Sequence, residues 1–178
     1  MCSKKLSGHV EPESLLPTSN TDPDEPRWPL LRPYQQEIFA AVSDSVFCRK
    51  GLTFSVEIAR QGGKNELSAQ LEAALLTLYL HEPYNLIKCS PTFNPQALIS
   101  MTRLKDRLNA VGCTGFYETE HGNIIRLIHA RQLFLSADVS ANVVGNTALI
   151  LLEVDESQDV DKEKYTNLYY LQLDRYLG

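Results

Sequence analysis

Apolar positions along this chain recur with two periods, and stretches of one period follow stretches of the other. Ile38, Phe39, Val42 and Val46 stand at helical spacing behind Pro33, a residue suited to a first helical turn, so a helix is predicted from about 31 to near Gly51. The run 55–58 reads as a strand leading into the turn Gly62-Gly63-Lys64. Leu67, Leu71, Ala74, Leu75, Leu78 and Leu80 then predict an apolar helix starting at Asn65, which Pro83 brings to a close. Residues 86–90 read as the next strand, 91–95 as a loop at its carboxyl end, and 96–111 as a helix with Leu98, Met101, Leu104 and Leu108 on one side. Short apolar runs at 124–128 and 132–135 predict antiparallel edge strands or a small β-insertion. After a loop at 137–147, an apolar run of strand length ends in Asp155 and Glu156, as a buried parallel strand does when it delivers acids to the edge of a sheet. This alternation predicts an α/β fold, a parallel sheet with crossover helices.

Composition narrows that picture. A length of 178 residues with 43% hydrophobic content suits one globular domain. Residues 1–29, rich in Pro, Ser, Asp and Glu, read as a disordered leader; 30–160 read as the domain, and 161–178 as a divergent Tyr- and Leu-rich tail. A formal net charge of -5 confines any nucleic-acid contact to a local patch such as Arg103, Lys105 and Arg107, although such a face is usually only the solvated side of a helix. Cys2, Cys48, Cys89 and Cys113 lack metal-like or paired spacing, which fits a reducing cytoplasm. No segment is apolar enough for a signal peptide or a membrane span, so no membrane partner is expected.

The chemistry concentrates in two stretches. In 59–65, glycines that lack a Cβ precede a lysine and a helix start, which is what a polyphosphate needs: close backbone N–H donors, an ammonium for the terminal phosphates and a favourable helix dipole. Against the general phosphate-loop pattern, Ile58 stands where the first glycine belongs and Asn65 where a Ser or Thr would hold Mg²⁺. The alternative is a plain turn. In the second stretch, 148–159, the acids match a Walker B pattern in which Asp155 holds Mg²⁺ and Glu156 polarises the attacking water; the alternative is a core strand followed by a solvated acidic turn. Upstream, the helix opening at Pro33 resembles the adenine-reading element of helicase-like ATPases, with Gln35 the better candidate to read the base and Gln36 the other.

In this order, residues 31–160 resemble the ATPase half of a tailed-bacteriophage terminase large subunit, the motor that packages viral DNA. That family's phosphate loop commonly lacks the first glycine, so Ala59, Arg60, Gln61, Gly62, Gly63, Lys64 and Asn65 fit it better than they fit the general pattern. Its second motif resembles 142–148 followed by 151–159. The resemblance implies a RecA- or helicase-like P-loop NTPase using ATP and Mg²⁺. Arg60 would contact phosphate or report nucleotide state, Lys64 would bind the β- and γ-phosphates, Asp155 and Asn65 would lie at the metal, and Glu156 would be the catalytic carboxylate. It further implies double-stranded viral DNA, the portal and the small terminase subunit as partners, in the cytoplasm of an infected or lysogenic bacterium. Past Walker B the residues depart from the family's pattern: 161–178 do not resemble its Ser/Thr-rich coupling motif, and no nuclease domain is expected in this chain. The sheet is therefore expected to be incomplete at its C-terminal end, and two other readings stand beside the packaging ATPase: a helicase-like nucleic-acid-dependent ATPase, and a nonenzymatic prophage remnant that at most binds nucleotide.

Overall fold

The computed structural model describes residues 31–137, 148–163 and 166. The expected leader, the loop at 138–147 and nearly all of the tail lie outside them, as does most of the second motif upstream of the acids. The described elements are helices α1 (Pro33–Phe47) and α2 (Lys64–Leu78), strand β1 (Asn85–Ser90), helix α3 (Leu98–Ala110), and strands β2 (Tyr117–Glu120), β3 (Ile124–Leu127), β4 (Ala130–Ser136) and β5 (Leu151–Val154). None of the helices is long and apolar enough to cross a membrane.

The chain is α/β: its described residues form one mixed five-stranded sheet, flanked by helices, in the order β2-β3-β4-β1-β5. Strands β4, β1 and β5 run parallel, while β2, β3 and β4 form an antiparallel meander. Strand alternation divides the side chains between two faces. Leu86, Phe134, Ile125 and Leu127 project toward Leu71, Leu75 and Leu76 of α2 and Met101, Leu104 and Leu108 of α3, and this cluster is the main core. On the opposite face Ile87, Leu133 and Cys89 are buried in smaller groups with Ala148, Ala137, Leu152 and Val154.

Three expectations are corrected. The run 55–58 is not a strand of this sheet; 51–59 carry no regular structure among the described residues, and Leu52, Phe54 and Val56 are exposed. An isolated extended segment gains ladder hydrogen bonds only beside a partner edge, and no described strand pairs with it. Strand β4, expected at an edge, lies at the centre of the sheet between β3 and β1. Strand β5, expected to be buried, is an edge strand among the described residues, and its four residues are all half-buried. The helix boundaries fall close to those predicted, except that α3 is preceded by a turn, Phe93–Ala97, and therefore starts at Leu98.

Candidate functional site

Parallel strands deliver loops to their carboxyl ends, where open α/β sheets gather ligands. Here β5 ends at Val154, so Asp155 and Glu156 leave the sheet at that edge, and Asp155 N–H donates to Cys89 O of β1. Helix α2 starts beside them at Lys64, after Gly63 in the left-handed region (φ 82°) and without a side-chain cap. The Lys64 ammonium lies 2.8 Å from Asp155 Oδ1 and 2.5 Å from Glu156 Oε1, so two stretches far apart in sequence meet in one ion-paired group. Partial burial pulls the Lys64 ammonium down, but hydrogen bonds to Asp155 and Glu156 outweigh it and leave its pKa raised. Glu156 is held below the ordinary carboxylate range by its hydrogen bond from Lys64, helped by Gln158 and by the nearby charge of Arg60. Glu156 itself adopts a left-handed backbone (φ 48°), an unusual conformation for a non-glycine residue that tends to occur at functional sites.

The loop ahead of α2 is shaped from helix α1. Gln35 Nε2 donates to Gly63 O at 3.0 Å and Gly62 O at 3.3 Å, and the Tyr34 hydroxyl donates to Gly62 O at 2.5 Å. In a trans peptide the carbonyl and the following N–H point in opposite directions. Pinning the carbonyls of Gly62 and Gly63 toward α1 therefore turns the N–H groups of Gly63 and Lys64 away from it. The glycines are required by space: a Cβ on Gly63 would stand 2.6 Å from Gln35 Nε2, and one on Gly62 would stand 2.3 Å from Ile58 Cγ2. Gly63→Ala is accordingly expected to lower stability by ~1–2 kcal/mol, the cost of the left-handed backbone plus displacement of Gln35, read as a shifted midpoint in urea unfolding.

Each predicted site residue can now be placed. Lys64, Asp155 and Glu156 are brought together, with Arg60 near enough to act on Glu156 electrostatically. Gln35, expected to read adenine, is 3% exposed, and its amide is engaged by Arg32 N–H on one side and the loop carbonyls on the other. A buried amide needs all its partners satisfied, and the loop supplies them, so the structure gives Gln35 the work of shaping the loop. Gln36 donates to Leu31 O at the exposed surface. Ala59 O accepts from Gly62 N–H across the turn, Gln61 is an exposed left-handed residue (φ 62°), and Asn65 is the half-buried second residue of α2, where Gly63 is the N-cap. Beside the loop lies a cavity of about 580 Å³ lined by Arg32, Tyr34, Ile38, Ile58 and Arg60. Of the helix cations, Arg107 is turned to Glu66 at 3.5 Å, which removes it from an outward basic patch.

Among the described residues no cluster of three His, Cys, Asp or Glu side chains is placed to hold a metal ion. Mg²⁺ is commonly held by one or two carboxylates together with substrate phosphates and water, so Asp155 fits that role only in company with a nucleotide. Sequence reasoning missed two features. One is the Tyr34 tie to Gly62. The other is a buried cluster one helical turn below Lys64, where Lys88 of β1 meets Ser68 and Glu72 of α2 and Glu153 of β5. Its signal was present as two opposite charges interrupting apolar strands, Lys88 within 86–90 and Glu153 within 148–154. No protein-family model matches the chain, and no curated protein or solved structure matches it either.

Proposed function

We propose that this chain binds ATP with Mg²⁺ and hydrolyses it, as the P-loop ATPase part of a DNA-packaging motor of the terminase large-subunit type. The observation that supports it best is the Lys64 ammonium set between Asp155 and Glu156, with the glycine turn held open beside it. A lysine reaching phosphate, a carboxylate for a phosphate-bound cation and a second carboxylate for water are the parts that phosphoryl transfer to water requires. The phosphates lie on the N–H groups of Gly63 and Lys64 and on the Lys64 ammonium, which leaves its two carboxylates to meet them. Asp155 would hold Mg²⁺, which would supply positive charge to offset that of the phosphates. Glu156 accepts a hydrogen bond from the attacking water and takes its proton as the oxygen bonds to the γ-phosphorus. The bond to the β–γ bridging oxygen breaks, and its electron pair leaves with ADP. The nucleoside end occupies the cavity beside Tyr34 and Arg32, whose size suits a small ligand. Packaging of DNA, with portal and small-subunit partners, follows only from the family resemblance.

The test is calorimetric titration of ATP into the parent and Lys64→Ala. Loss of a charge-assisted contact is expected to weaken binding by ~1.5–3 kcal/mol, roughly ten- to a hundredfold. Equal affinity in the two proteins sinks the reading.

A further inference from the structure

Lys88 and Glu153 occupy paired register positions on the parallel strands β1 and β5. Helix α2 lays Ser68 and Glu72 over them. The Lys88 ammonium lies 3.0 Å from Glu153 Oε1 and 3.3 Å from Glu72 Oε1, and it donates to Ser68 Oγ. Ser68 Oγ is in turn 2.8 Å from both oxygens of Glu153. The side chains of Lys88 and Glu72 are only 2% and 1% exposed. Burial pushes the Glu72 carboxyl up to about 8 against the pull of Lys88, whereas burial of Lys88 is outweighed by Glu153 and Glu72, which keep it charged.

Stability does not explain such a cluster. A buried ion pair is often no more stabilising than apolar residues of the same volume, because desolvation offsets the Coulomb attraction. What directional bonds supply and apolar packing does not is a single register between the elements they join. The elements joined here are the ones that carry the site. Ser68 stands one turn after Lys64 on α2, and Glu153 on β5 stands two residues before Asp155, which follows directly on the end of that strand. The Lys88 ammonium also attracts Asp155 from behind.

We propose that Lys88, with Ser68, Glu72 and Glu153, is a positioning cluster that fixes the register of α2 on β1 and β5 and so holds Lys64 opposite Asp155 and Glu156 for phosphate binding. This rests on the nucleotide-binding reading above. None of the four touches the phosphates; they act through the backbone of the helix and strand that bear the contacting groups.

The test replaces the charges with apolar residues of similar size, Lys88→Met, Glu72→Leu and Glu153→Leu in one protein, and measures melting, ATP affinity without Mg²⁺, and amide hydrogen exchange. The expected result is a melting temperature at or above the parent's with affinity about ten- to a hundredfold weaker, the size of loss seen when groups that orient ligands are removed. Exchange is expected to speed up at 62–66 and 155–156 while β1 and β4 keep their protection. Parent-like affinity and protection in a stable triple variant overturn the proposal. So does a loss of protection spread evenly over the protein, which marks a merely structural role. If the parent itself binds no ATP, the nucleotide reading falls, and the exchange comparison still decides whether the cluster sets the register. If the triple variant does not fold, Ser68→Ala, which deletes only the shared hydroxyl, is measured in the same way. Weaker binding and faster exchange at the same two segments are then expected, and no change in either overturns the proposal.

Discussion

Glu156→Gln is expected to bind ATP at least as tightly as the parent while its turnover falls by about 10²–10³-fold, the size of loss that follows removal of one positioned polar group at a reacting centre. The amide keeps the shape of the side chain but loses the charge that polarises water in the proposed mechanism. Affinity is preserved for a reason visible in the ligand-free geometry. Glu156 Oε1 is 2.5 Å from the Lys64 ammonium, so under the proposed function the carboxylate competes with phosphate for the same cation, and neutralising it lightens that competition. Asp155, at 2.8 Å on the other side, still orients the lysine. Phosphate release measured beside an ATP titration separates the two effects. Equal hydrolysis by both proteins removes Glu156 from the chemistry, and a parallel fall in affinity makes it a binding group instead.

The second large effect is on stability. Phe134→Ala is expected to cost ~3–5 kcal/mol in urea unfolding, because the ring is fully buried in the main core and its removal leaves a cavity that α2 and α3 cannot close without moving. The size of the loss also tests the topology. Were β4 an edge strand, as its sequence alone suggested, a half-exposed ring would cost far less. At the centre of the sheet, paired with β3 on one side and β1 on the other, Phe134 has no solvent to retreat to. A loss below about 1 kcal/mol, the level of an ordinary surface substitution or less, contradicts that placement.

Local pattern accounted for most of the elements. The helix at Pro33, the helix after Lys64, the strand at 86–90, the helix rich in Leu and Met, and the strands β3 and β4 all follow from spacing, since an amphipathic period of 3.6 or 2 is written in consecutive residues, whereas β2, which holds no apolar run, does not. The candidate chemistry was legible for a similar reason. Glycines before a lysine, and two acids ending an apolar run, are local patterns that mark candidates, and the structure places Lys64 against Asp155 and Glu156.

Pairing was not legible. An apolar run does not name its partner strand, so 55–58 read as a strand although no described edge receives it, and β4 read as peripheral although β1 pairs along its whole length. Nor does a glutamine at a helix start reveal whether its amide meets a ligand or the chain itself; only the approach of α1 to Gly62 and Gly63 decided that Gln35 faces the loop. The same holds for Lys88 and Glu153, whose partnership no local pattern shows and which the register sets side by side under Ser68 and Glu72. The sequence by itself determined most of the helices and strands and marked which groups are candidates for phosphate chemistry, because periodicity and residue type act over a few positions. Strand order, the role of Gln35 and the buried charge cluster were decided only by the tertiary structure, because each is a contact between segments whose separation along the chain carries no information about their distance in space.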